Sequence, residues 1–355
     1  MHFVNLRPAA VGICFLATTF AGCGATPSAL GGNAMPPNLR TSRPAIDQSL
    51  YVANGRNNTV TQYAIGIRAP ERTIDQTHGV NGPQGIAADV HGYLYVANDN
   101  SSTVTVYAPG HTNVSRTISQ SISGPGTVAL DAAENVYVAN RRGNTVTVYA
   151  AGRTVLLQAI ADGINSPAAL AFDAAGNLFV ANEGSNNGAG SVTVYHGTAS
   201  SMKKIGTITT GIDRPVALAA DPSGQNVFVV NELGENVSEY SARTFQRIRA
   251  INQYMSFPDA LAFDVSGNLY VTNKYGLHGQ GSMTVYAHDT YAWTNLISGV
   301  SAPDAIVGDP LGNVFVANDP AANTSVMGYG SYGWWITIDE TTGHVAGPVA
   351  LAIGP

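Results

Sequence analysis

Apolar residues in this chain come in runs of four to six, rich in Val and Tyr and bounded by Gly, Asn, Asp or Pro. That spacing predicts short β-strands between tight turns and leaves no room for a helix. The clearest stretch runs Gly124-Pro125-Gly126-Thr127-Val128-Ala129-Leu130-Asp131, then Ala132 to Asn135, then Val136-Tyr137-Val138-Ala139-Asn140. After Arg141 to Asn144 it continues as Thr145-Val146-Thr147-Val148-Tyr149-Ala150. The same order of runs returns along the chain. Tyr51-Val52-Ala53-Asn54 has counterparts ending at Asn98, Asn140, Asn182, Asn231, Asn273 and Asn318, at steps of 44, 42, 42, 49, 42 and 45 residues.

A period in that range marks a propeller, solenoid or array. A fourth, weaker segment closes most units, at Arg72-Thr73-Ile74, Arg116-Thr117-Ile118, Ile205 to Ile208 and Arg247 to Ala250. Four short strands per unit predict an all-β fold, a β-propeller of four-stranded blades. Turn chemistry agrees. Asp89, Asp131, Asp173, Asp221, Asp264 and Asp309 end the first strand, and all but Asp131, which has Glu134, have Gly three residues later. Asp and Gly at those places favour a type I turn. A Pro opens each first strand, where its missing N–H costs no ladder bond.

The ends set the blade number. The first unit starts at Leu50-Tyr51-Val52-Ala53-Asn54 without an opening strand, and the chain finishes on Gly347-Pro348-Val349-Ala350-Leu351-Ala352 with nothing after it. The C-terminal strand is therefore expected to complete the first blade and close a seven-bladed ring over residues 47–355.

Charge narrows the partners. Charged residues make up 11% and net charge is −6, which becomes −7 without residues 1–22, arguing against a nucleic-acid binder with a basic face. Residues 1–22 read as an export signal, with Arg7 before an apolar stretch from Ala9 to Phe20. Cys14 falls inside that signal, so Cys23 is the single Cys left after cleavage and no internal disulfide forms. Residues 23–46, with Pro27, Pro36, Pro37 and Pro44, read as a flexible tether.

Two resemblances add to this. Phe20-Ala21-Gly22-Cys23 resembles the lipobox of bacterial lipoproteins, which implies a lipid-modified Cys23, a cell-envelope location and attachment to a membrane. Phe20 stands where Leu is usual, and an ordinary secretory signal cut near Ala25 is the other reading. Gly24 in place of Asp implies sorting to the outer membrane. With Tyr270-Val271-Thr272-Asn273, the chain resembles the YVTN family of propeller repeats, related to the NHL-repeat proteins, over residues 47–355. Such propellers bind protein, peptide, glycan or nucleic acid, or act as lactonases or lyases, so the fold alone chooses no function.

The seven symmetric asparagines read as side-chain pins of the hairpin after the second strand. Function must break the symmetry. The residues following the asparagines are Gly55, Asp99, Arg141, Glu183, Glu232, Lys274 and Asp319, and their loops should share one mouth with the loops before the opening Pro strands. Such a ring either binds a cation, a sugar or a polar peptide, or is a rim whose charges pair among themselves. The loops from Glu183 to Gly190, with Asn186 and Asn187, and from Lys274 to Gly281 are longer than their counterparts. Arg141, Glu183, Glu232 and Lys274 are therefore the expected ligand-binding arc, outside the propeller core, for a protein, peptide or glycan and without a cofactor. The alternative is a metal-assisted lyase or lactonase. His78, His278 and His344 come from loops of this face, and propeller lyases acting on cyclic peptide antibiotics resemble an arrangement of His, Glu and a divalent ion, which implies His278, His344 and Glu232. Lactonase propellers resemble a Glu, Asn and Asp set around a metal, for which Glu183, Asn231 and Asp319 match by residue type.

Overall fold

The computed structural model describes residues 48–355 apart from 185–189, 276–280, 320–323, 331–332, 340 and 342–343. The expected signal, Cys23 and the tether lie outside the described residues, as do His278, Asn186 and Asn187.

The strands pair into seven antiparallel sheets of four, each in simple meander order, forming a seven-bladed β-propeller. Blades 2 to 7 open at Pro83, Pro125, Pro167, Pro215, Pro258 and Pro303. Blade 1 draws Ser49–Asn54, Thr59–Ala64 and Arg72–Ile74 from the N-terminal side and its innermost strand, Pro348–Gly354, from the C-terminus. The expected closure holds in register: Leu50 lies opposite Ile353, Tyr51 opposite Ala352 and Val52 opposite Leu351. A 3₁₀ turn, Gln76–His78, lies between the first two blades. The predicted weak segments are strands, at Arg72–Ile74, Val114–Ile118, Ser201–Ile208 and Arg247–Ile251, and so are Leu156–Ile160, Trp293–Ile297 and Gly333–Asp339.

The core lies between blades. Alternate side chains of each sheet face opposite neighbours. Leu50, Val52 and Tyr63 of blade 1 pack with Phe315 and Val326 of blade 7, while Tyr51 and Val60 pack with Ile86 and Leu94 of blade 2. The innermost strands touch round the ring, Pro348–Gly354 contacting both Pro83–Ala88 and Pro303–Gly308. The tyrosine at the end of the third strand is fully buried in blade after blade, and its hydroxyl needs a partner. It donates to the crossing loop that leaves the previous blade, Tyr107 to the His78 carbonyl at 2.8 Å and Tyr240 to that of Thr210 at 2.8 Å. The loops that build one end of the ring are thus anchored from below.

Candidate functional site

The two ends of the ring differ in kind. At one, a single turn is repeated. Asp173 Oδ1 accepts the Ala175 and Asn177 N–H groups at 2.9 and 2.8 Å and its Oδ2 accepts Asn177 Nδ2 at 2.6 Å, with matching bonds at Asp131, Asp264 and Asp309. The fourth residue is left-handed in each described copy, at φ 79° for Gly176 and 62° for Glu134.

At the other end the asparagines act as pins. Asn140 is fully buried; its Nδ2 donates to Thr147 Oγ1 at 3.0 Å and Thr145 Oγ1 at 3.2 Å, and its Oδ1 accepts the Ser123 N–H at 3.1 Å. Each of the others likewise accepts an N–H from the crossing loop, among them Ala346 onto Asn54 at 3.0 Å and Ser256 onto Asn273 at 3.2 Å. The residue after each pin also donates its backbone N–H to the residue before the Pro: Arg141 to Gly124 at 2.9 Å, Glu232 to Arg214 at 3.1 Å, Lys274 to Phe257 at 3.0 Å. These bonds stitch the two loop sets together at one mouth, as their connectivity requires. Asn231 is consumed in this way, with Nδ2 on Asn236 Oδ1 at 2.9 Å and Oδ1 on the Asp213 N–H at 3.0 Å, so its amide is not available to a metal.

The charges around the mouth pair with one another. Arg141 meets Glu183 at 2.5 Å, Arg142 meets Asp99 at 3.1 Å, Arg214 meets Glu232 at 2.9 Å and Arg56 meets Asp319 at 2.5 Å. Three of these pairs join different blades; only Arg214 and Glu232 belong to the same one. Lys274 reaches Asp259 at 2.7 Å and Asp304 at 3.9 Å. Of the four expected residues, the structure thus joins Arg141 to Glu183 directly, and gives Glu232 and Lys274 other partners.

Asp259 and Asp304 are what sequence reasoning missed. They occupy the position after the opening Pro in adjacent blades, where the others carry Gln84, Gly126, Ala168, Val216 and Val349. The same test of broken symmetry, applied to opening strands instead of loops, singles them out. Burial pushes the Asp259 carboxyl up, against the pull of Lys274. Burial, and then the negative charge of Asp259, push Asp304 up to about 6. Burial opposes the charge on Lys274, but Asp259, with Asp304 and Glu232 behind it, more than offsets this and holds its pKa above the usual lysine value. Lys274 therefore stays charged and neutralises a desolvated carboxylate. The expectation that the four mouth charges are independent of the fold fits exposed Arg141, but not Lys274, whose removal would leave Asp259 buried and unpaired.

Of the alternative set, His344 is exposed on the loop entering blade 1 and Glu232 sits in blade 5 against Arg214, while His278 lies outside the described residues. His78 bonds Asp75 Oδ1 at 2.7 Å. Among the described residues no group of three or more His, Cys, Asp or Glu is arranged to hold a metal ion.

No protein-family model matches the chain, and no curated protein matches it by sequence. Solved structures do. A Lactobacillus plantarum protein superposes with a TM-score of 0.66 at 17% identity, covering 86% of this chain and 98% of that one. A Bacteroides uniformis protein, provisionally described as a 6-phosphogluconolactonase, gives 0.67 at 14% identity over 86% and 99%. A Desulfotomaculum acetoxidans protein of unknown function gives 0.70 at 11% over 86% and 98%. At these identities the likeness establishes the propeller fold and nothing finer.

Proposed function

We propose that the protein is a propeller lipoprotein of the YVTN and NHL repeat kind, anchored through Cys23 in the bacterial cell envelope, that captures a ligand at its loop mouth. The observation that carries this reading is the contrast between the two ends of the ring. One end repeats the same Asp turn. The other holds unlike charges locked into pairs across blades, with a partly desolvated cluster at Asp259, Lys274 and Asp304. A preordered set of donors and acceptors binds well, because little side-chain freedom is lost on contact.

The Bacteroides neighbour raises a phosphosugar lactone as a substrate for the enzyme alternative. Holding a phosphate calls for an uncommitted cation. On the described mouth loops Arg56, Arg141, Arg142, Arg214 and Lys274 are each paired with a carboxylate. That arrangement counts against a phosphosugar as the ligand of this mouth.

The test compares two variants of the full-length protein in capture from solubilised envelope extracts, with protein, peptide and glycan fractions assayed separately. One carries Arg141→Ala, Glu183→Ala, Glu232→Ala and Lys274→Met, with Asp259→Asn and Asp304→Asn so that no acid is stranded. The other carries Ala133→Lys and Ser266→Lys on the opposite end, where both side chains are exposed. Capture should disappear in the first and persist in the second. The reverse pattern would place the working surface on the wrong end.

A further inference from the structure

The loop entering blade 6 departs from its six counterparts in a way the paired charges do not explain. Every crossing loop carries two left-handed residues, separated by an inward apolar residue and one whose N–H meets an asparagine pin. The first left-handed position holds Gly79, Ser121, Gly163, Gly211, Tyr254, Gly299 and His344 in turn. The second, just before the Pro, holds Gly82, Gly124, Ser166, Arg214, Phe257, Ala302 and Gly347. Only the blade 6 loop puts aromatic rings at both, with φ 59° at Tyr254 and 48° at Phe257.

A bulky residue in this region strains the backbone, and the loop carries that strain twice. Burial does not offset it, since Tyr254 is 46% and Phe257 36% exposed. Each ring instead meets another exposed ring. Tyr254 lies 4.7 Å from Trp293, and Phe257 lies 5.2 Å from Tyr275 with the planes at 88°. Strained residues that stay in water contribute little to the fold, and such outliers cluster at ligand sites.

The surroundings choose the ligand class. Phe257 immediately precedes Pro258-Asp259 and Tyr275 immediately follows Lys274, so the inner ring pair borders the charged cluster. An organic cation would compete with the tethered ammonium of Lys274, already 2.7 Å from Asp259. A phosphate would need a cation that the paired mouth does not offer. A proline-rich peptide brings carbonyl acceptors but few donors, and would offer the carboxylates of Asp259 and Asp304 little beyond the Lys274 ammonium they already face. A neutral sugar brings hydroxyls that both donate and accept, and apolar ring faces that stack on aromatic side chains.

We propose that this loop is an oligosaccharide-binding site, in which Phe257 with Tyr275 and Tyr254 with Trp293 pack on sugar-ring faces while Asp259, Lys274 and Asp304 exchange hydrogen bonds with hydroxyls. Tyr254 and Phe257 are three residues apart, at most about 10 Å along the chain, so both ring pairs are within reach of one oligosaccharide. The proposal rests on the reading of the mouth as a capture face.

The full-length protein, in a detergent without a sugar headgroup, is titrated calorimetrically with neutral tetrasaccharides of glucose, galactose, mannose, xylose and N-acetylglucosamine. Choline and a proline-rich decapeptide are the rival probes. At least one tetrasaccharide should bind, and Tyr275→Ala and Tyr254→Ala should each weaken it roughly tenfold or more. Phe257→Gly should lower affinity while raising the melting temperature, a combination that loss of folding cannot produce. No tetrasaccharide binding at millimolar concentration, binding indifferent to Tyr254 and Tyr275, or binding of choline or the peptide instead would each overturn the proposal. If saccharides fail while the mouth variant still loses its captured partner, the site is wrong and the capture face stands. If capture survives the mouth variant, both are wrong.

Discussion

Deleting residues 346–355 should cost most of the stability of the protein. The truncation removes Leu351, Ala352 and Ile353, all buried, and uncovers Leu50 and Val52, which they cover from the paired strand and the interblade core. Each large aliphatic group transferred to or from water is worth about 1.5–3 kcal/mol. Two lost and two uncovered, with partial burial remaining for the latter, come to roughly 5–10 kcal/mol. Asn54 also loses the Ala346 N–H it accepts at 3.0 Å, and Ser49–Asn54 becomes an open edge. Domains of this kind hold only about 5–15 kcal/mol in all. Urea and thermal melts followed by far-UV circular dichroism should therefore find the truncated chain unfolded or barely folded at room temperature. Leu351→Ala gives a graded version, expected to cost about 2–4 kcal/mol. Val155→Ala, at a side chain 55% exposed, should stay within about 0.5 kcal/mol. A truncated protein that melts within a few degrees of the full chain would refute the closure argument.

Glu134→Gly should stabilise by about 0.5–1 kcal/mol in urea melts, because Glu134 holds φ 62° where the matching turns use Gly; a destabilised variant would count against this account of the turn. Asp304 should make stability fall as pH rises. Its folded pKa of about 6 exceeds the unfolded value of about 3.9, so its contribution is complete below about pH 4 and is lost as pH climbs through about 6. The full shift corresponds to roughly 3 kcal/mol, which screening at a carboxyl about a third exposed reduces to about 1–2 kcal/mol. Asp304→Asn should gain that much on the wild type at pH 7.5 relative to pH 4, and an identical difference at both pH values would dismiss the desolvation argument. Cys23→Ser should move the protein out of the detergent phase and the membrane pellet, and unchanged partition would rule out the lipid anchor.

The fold was legible because its signals repeat. Each asparagine, opening Pro and Asp turn is a local choice seen many times over, so chance agreement averages out, and the unpaired segments at the two ends specify closure. The outer strands at Leu156–Ile160 and Trp293–Ile297 were harder to see. Trp293–Ile297 faces solvent along most of its length and Leu156–Ile160 is largely half-buried, and no alternation or shared motif constrains them. The site was legible in part. The unlike residues after the asparagines pointed to the mouth, yet the partners of Glu232 and Lys274 come from Arg214, Asp259 and Asp304, whose nearness depends on crossing loops that sequence spacing does not resolve. His278 and His344 were grouped with Glu232 by face alone, and Glu232 instead has Arg214 as its partner. The aromatic loop was hidden for another reason. Tyr254 and Phe257 look like ordinary hydrophobic residues until their left-handed backbone is known.

The scaffold explains how one loop can bear two such residues without unfolding. The loop of blade 6 is held at four points. Tyr286 Oη donates to the Gln253 carbonyl at 2.5 Å, and Met255 is buried in the core between blades 5 and 6. The Ser256 N–H meets Asn273 Oδ1 at 3.2 Å, and the Phe257 carbonyl accepts the Lys274 N–H at 3.0 Å. Strain persists only where the surroundings over-determine the backbone, and here every residue next to a left-handed position is tied down. The same ties recur in blades whose left-handed positions are Gly, as where Tyr107 holds the His78 carbonyl beside Gly79. The loop path therefore does not depend on the side chain at those positions. That independence lets the chain place exposed rings on and beside this crossing loop while keeping the blade geometry common to the ring, and it is why Phe257→Gly should separate binding from stability.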